Sequence, residues 1–275
     1  MDLSVDLIAA TVQIEQARSD GTRTVGTGFL INQPQLDGRP RTVLVTAAHV
    51  LERMPNTQAR IGYRIQSEGS WKYDPQPLDI RNEAGSPLWS RHPDRDVAVI
   101  TVIVPPAFAK AAIPLAWLAS DDTFDKARLA PGEELLALGF PEGLSANPAG
   151  FPILRAGRLA SYPVTPIKDY PTFLMDFSVF PGNSGGPVFL ELASPARSRI
   201  KGKAPGGAFV AGILTQEVEV KGEHLGIGVV THARFVREAV EALDHPLAVS
   251  PQSPVEDGAL TVDASGSASD QNTIP

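Results

Sequence analysis

The sequence predicts an all-β fold closed by a C-terminal helix. Three observations carry that prediction. The chain holds 24 glycines and 25 prolines among 275 residues, a density of turn formers that favours short strands over long helices. Between the turns lie short apolar and β-branched runs, such as residues 42–46 and 97–102, which is the pattern of buried strands. Near the end, Phe235, Val236, Ala239, Val240 and Leu243 recur at helical spacing, so residues 233–243 read as a closing helix.

The elements follow in order. Residues 7–16 alternate loosely and read as a first strand, ended by the turn Ser19-Asp20-Gly21. Residues 25–31 form a second, whose Gly26 and Gly28 permit a bulge or tight bend. After a Pro/Gly turn region at 33–41, the strand 42–46 runs into Ala47-Ala48-His49-Val50-Leu51. Residues 61–65 and 78–80 read as short strands separated by a polar segment, in which Trp71 and Tyr73 are expected to pack. Residues 97–102 are another strand. From 104 to 132 the strand pattern lapses, and Asp121, Asp122 and Asp125 read as a solvated surface on a crossover. Residues 135–141 open the second half, and strands continue at 153–162, 173–178, 188–190, 208–215 and 226–230. Arg197, Arg199, Lys201 and Lys203 read as a solvated turn, with a docking patch for an acidic partner as the sharper alternative. Residues 246–275 contain no aromatic and no basic residue, and such a composition is expected to remain disordered.

Composition narrows the function classes. A formal net charge of −7 argues against nucleic acid as the main partner. With no cysteine, the chain has no disulfide framework, thiol nucleophile or cysteine metal site. Its N-terminus, Met1-Asp2-Leu3-Ser4-Val5-Asp6, lacks the basic start of a secretory signal, and no apolar run is long enough to span a bilayer. The expected compartment is the cytoplasm, although a secreted protein trimmed of its signal would read the same way.

Chemistry concentrates in Pro181-Gly182-Asn183-Ser184-Gly185-Gly186-Pro187. One hydroxyl stands among glycines that tolerate unusual φ and let backbone approach a substrate. A plain Gly/Pro turn between two strands is the bland alternative. Serine needs a base and a group to orient that base. His49 stands where a strand gives way to a turn of helix, after two small alanines. His92, His224, His232 and His245 lack that context and read as surface or loop residues. Asp96 opens the strand 97–102, while Asp94 lies two residues farther from it, between Pro93 and Arg95.

On Thr46-Ala47-Ala48-His49, Asp96-Val97-Ala98 and the seven residues around Ser184, the chain resembles the trypsin-like (chymotrypsin-fold) serine peptidases. The likeness is to the bacterial branch that includes the HtrA/Deg type, which carries Asn before the nucleophile, as Asn183 does here. It covers residues 7–243 and implies two six-stranded antiparallel β-barrels with the site between them: a first barrel over residues 7–104, a crossover over 105–132, and a second barrel with its helix over 133–245. It further implies that Ser184 attacks the peptide carbonyl, His49 acts as general base and Asp96 orients it, with Gly182 and Ser184 N–H groups holding the oxyanion. Ser178 would floor the primary pocket beside Val179, with Thr215, Gln216, Glu217 and Gly228 lining the substrate. The expected side chain there is small or medium and apolar, unless Glu217 turns inward and favours a base. No metal or organic cofactor is needed, the partner is a polypeptide substrate, and a regulatory protein partner fits a lone domain. No PDZ module is visible, and Asn183 carries no charge for a freed N-terminus to pair with. An inactive peptidase-fold binding module is the other class.

Overall fold

The computed structural model describes residues 3–191 and 208–244. The basic loop 197–203, His245 and the segment 246–275 lie outside the described residues. The elements are α1 (Leu3–Ala10), β1 (Thr11–Ala17), β2 (Arg23–Asn32), β3 (Thr42–Thr46), α2 (Ala48–Glu52), β4 (Gln58–Ser67), β5 (Ser70–Asp79), β6 (Ser90–Arg91), β7 (Ala98–Val102), β8 (Ile113–Pro114), α3 (Asp121–Ala127), β9 (Glu134–Gly139), β10 (Ile153–Leu159), β11 (Thr172–Asp176), β12 (Pro187–Leu190), β13 (Phe209–Val220), β14 (Glu223–His232) and α4 (Ala233–Glu241).

The all-β class with a C-terminal helix holds. The later strands close into a six-stranded barrel in the order β10-β11-β14-β13-β12-β9. The earlier strands form an eight-stranded sheet along β5-β4-β1-β2-β3-β7-β6, with β8 parallel to β2. This sheet is only partly closed. β6 is two residues long, and the segment before it meets the residues after β5 through the backbone bonds Leu88 N–H to Ile80 O and Asn82 N–H to Ser86 O, both 2.9 Å, around the bridge Arg81–Pro87.

Residues 3–10 are helical where a strand from residue 7 is expected. Leu3, Leu7 and Ala10 fall at i, i+4 and i+7, and this buried face outweighs the loose alternation. So short a helix is marginal alone. Its exposed last carbonyls are taken by the buried Arg64, whose Nη2 donates to Ala9 O at 2.7 Å and Ile8 O at 3.4 Å.

β4 and β5 likewise form one long hairpin rather than two short strands. Glu68 and Gly69 turn it with φ of 51° and 79°, the two-residue geometry that matches strand twist. Pro75 and Pro77 are tolerated because β5 lies at the sheet edge. Trp71 packs edge-on against Phe151 at 5.4 Å. In the crossover, α3 begins at Asp121, which pairs with Arg234 on α4 at 2.6 Å. Val236, Ala239 and Val240 of α4 are buried in the core that both sheets share, each valine contributing roughly 1.5–3 kcal/mol by burial. No helix among the described residues is long and apolar enough to cross a membrane.

Candidate active site

Ser184 sits in the loop between β11 and β12, and glycine is required on both sides of it. Gly182 and Gly185 have φ of +95° and +86°. A Cβ would meet Phe140 O at 2.2 Å from the first and Thr27 O at 2.1 Å from the second. The loop is fixed by Asn183 N–H to Phe180 O and Gly186 N–H to Asn183 O, both 3.0 Å. It is also tied to β13 by Gly185 N–H to Leu214 O at 2.8 Å and Leu214 N–H to Gly186 O at 2.9 Å. Among the described residues, no acceptor takes the N–H of Gly182 or of Ser184. Two donors thus remain available beside the hydroxyl.

His49 lies in the first turn of α2. Its Nδ1–H donates to Asp96 Oδ2 at 2.6 Å, and its backbone N–H donates to Asp96 Oδ1 at 3.0 Å. Because an ionised carboxylate only accepts, a proton stands on Nδ1, and in the neutral ring Nε2 keeps its lone pair. Burial pushes the Asp96 carboxyl up, but the two His49 hydrogen bonds, the positive charge that the ring carries when protonated and Arg91 together hold it below its ordinary value. Arg91 in turn pairs with Glu52 on α2. Asp94 is not brought to His49; its N–H donates to His92 Nδ1 at 3.2 Å. Ser184 Oγ makes no hydrogen bond to His49, a looseness common in sites without substrate.

Two structural supports escape the sequence reading. Thr27 is fully buried on β2. Its N–H donates to Ser184 O at 2.9 Å, and its hydroxyl donates to Gly182 O at 2.6 Å while accepting from Phe140 N–H at 3.1 Å. A polar residue inside an apolar strand was the available signal. The second support is a clamp from α4 on the turn that presents Asp96. His92 is buried rather than a surface residue, and its Nε2–H donates to Glu238 at 3.1 Å. Phe235 packs on the His92 ring at 5.4 Å and under the Arg95 guanidinium at 5.0 Å. His232 is also buried, between Phe124 and Phe173 at 4.5 and 4.9 Å.

A pocket of about 550 Å³ opens beside the Ser184 loop, lined by residues 178–181, Glu217 and residues 224–226. Ser178, Val179 and Glu217 line it, together with Glu142. Thr215, Gln216 and Gly228 do not line it. The Thr215 hydroxyl is buried against Val229 O at 3.2 Å, and Gly228 backs onto Leu214 and Val179. Among the described residues no group of three or more His, Asp or Glu side chains is placed to hold a metal ion.

A family model described as the trypsin-like peptidase domain matches residues 26–192. No curated protein matches the chain. Among solved structures, a variant of the HtrA-type protease AlgW with tripeptide is 15% identical, with 87% of this chain and 61% of that chain covered and a TM-score of 0.53. The HtrA-type protease AlgW with tripeptide is 15% identical over 88% and 63%, with a TM-score of 0.52. The active form of the Rv3671c protease from M. tuberculosis is 18% identical over 87% and 82%, with a TM-score of 0.49. At such identities the AlgW likeness extends to the fold. The chain spans less than two thirds of the length of either AlgW chain.

Proposed function

The chain belongs to the trypsin-like peptidase domain family, and from that membership we propose a serine endopeptidase that works through Ser184, His49 and Asp96. The family membership supports a peptidase acting on polypeptides. The observation that supports the residue assignment best is the 2.6 Å bond from His49 Nδ1 to Asp96 Oδ2, which leaves Nε2 as the free base.

In this reading His49 Nε2 takes the proton of Ser184 Oγ as that oxygen adds to the peptide carbonyl. The carbonyl oxygen becomes an alkoxide held by the Gly182 and Ser184 N–H groups. Asp96 keeps the imidazole in its tautomer and stabilises the imidazolium. Collapse of the tetrahedral intermediate breaks the C–N bond, and His49 gives its proton to the leaving amine. An ester on Ser184 remains. Water, deprotonated by His49, attacks that ester and releases the acid and the free serine.

A fluorophosphonate probe tests the assignment. The expected result is one covalent adduct on Ser184, absent in Ser184→Ala and strongly slowed in His49→Ala, with casein hydrolysis following the same order. Folded protein that takes no label and cuts no casein would overturn it.

A further inference from the structure

Two carboxylates face the pocket beside the nucleophile loop, and we propose that this pocket takes the side chain of a lysine or arginine. That the occupant is the residue preceding the cut rests on the peptidase reading above. The Glu217 side chain is only 15% exposed. Its Oε2 accepts from His224 Nδ1–H at 2.8 Å, and its Oε1 has no protein partner among the described residues. Glu142 adds a second carboxylate at the edge, free of ion pairs among the described residues.

The alternatives fit worse. An apolar occupant would cover Glu217 Oε1 without a donor, and leaving a carboxylate oxygen dry and unpaired is costly. An acidic occupant would add a third negative charge. A lysine or arginine satisfies both needs: Val179, Phe180 and Leu225 supply apolar wall for its methylene stem, and its cationic head donates to Glu217. Among the described residues His224 is the only basic side chain of the wall, and it is already committed to Glu217. Arg155 reaches the same segment but donates to Ser178 O at 2.7 Å and stacks over Phe177 and Phe180, outside the lining.

The test uses the purified full chain and a peptide series differing only at the residue before the cut: Arg, Lys, Leu or Glu. Cleavage after Arg or Lys is expected to exceed that after Leu by about tenfold or more, the discrimination one charge-assisted contact supplies. Glu217→Gln is expected to erase most of that margin, and Glu142→Gln a smaller share. Leu cut as well as Arg would overturn the proposal. Benzamidine gives a readout independent of catalysis: it should raise the melting temperature of the wild-type chain where neutral benzamide does not. No benzamidine shift also overturns the proposal, whether or not Glu217→Gln folds. A fluorophosphonate run in parallel separates the two levels. Labelled Ser184 without basic preference sinks the pocket assignment alone, whereas benzamidine binding on unlabelled protein sustains the pocket and sinks the peptidase assignment.

Discussion

Thr27 and Ser184 are joined through their backbones, N–H to carbonyl at 2.9 Å, so a strand of the first sheet is bonded to the Ser184 loop of the second. The Thr27 hydroxyl completes the joint at Gly182 O and Phe140 N–H. Thr27→Val keeps the shape and strands both partners. It should lower stability by about 1–3 kcal/mol in urea titration and reduce kcat far more than it raises KM. Thr27→Ser should restore both.

Replacing Asp96 by Asn offers His49 Nδ1 an amide that can donate, which favours the wrong tautomer. A fall in kcat of about 10⁴ is expected, with KM little changed. The pH behaviour is separable. The folded Asp96 pKa lies below its ordinary 3.8, so its contribution to stability is complete above that value and is lost as pH falls below it. Unfolding titrations of wild type and Asp96→Asn should therefore differ by a constant amount down to about pH 5 and converge only under stronger acid.

His232 gives a second pH signature. Burial between two aromatic rings lowers its pKa from 6.5 to about 4, a nearby backbone group of Tyr170 opposing this more weakly, and neither ring nitrogen has a partner that meets hydrogen-bond geometry. The unfolded chain binds the proton first, so stability is complete above pH 6.5 and is lost as pH falls from 6.5 toward 4. The loss is about 3 kcal/mol. His232→Leu should remove that slope from a series of urea titrations between pH 7 and pH 4, and an unchanged slope would count against the assignment.

Glu238 holds both His92 at 3.1 Å and Arg234 at 2.7 Å, and so couples α4 to the turn that ends at Asp96. Glu238→Ala should cut kcat about tenfold with little effect on KM, as expected when a reacting group is slightly displaced. Glu238→Gln, which still accepts from His92, should recover most of the loss.

The three site motifs are legible because each is contiguous and its sequence neighbours build its surroundings. Gly182 and Gly185 need positive φ beside Ser184, Ala47 and Ala48 give His49 room, and Val97 and Ala98 anchor Asp96. The supports are not legible, because they act between distant segments. Nothing near Thr27 in sequence announces Ser184, 157 positions away, and nothing near His92 announces Glu238, 146 positions on. The missed elements have local causes. Residues 3–10 offer only eight residues, too few for alternation and helical spacing to separate. The polar, proline-bearing β5 resembles a loop because an edge strand has one side free of partners. Of the pocket residues, Glu142 comes from a single helical turn at Pro141–Gly143, where no periodicity fixes a side-chain direction, and His224 lies on the start of β14, ahead of the apolar run 226–230 by which the strand is recognised.

The grip of α4 on the Asp96 turn has a consequence for the order in which the protein is made. His49 and Asp96 leave the ribosome first, Ser184 follows nearly ninety residues later, and the helix at residues 233–241 arrives last. A growing chain therefore carries His49, Asp96 and Ser184, the proposed reactive groups, before it carries the helix that braces the Asp96 turn. Domains fold as units as they emerge, and here the unit is finished only when residue 241 is in place. In the peptidase reading, half-made copies are therefore expected to hold the three side chains without the alignment that cutting needs.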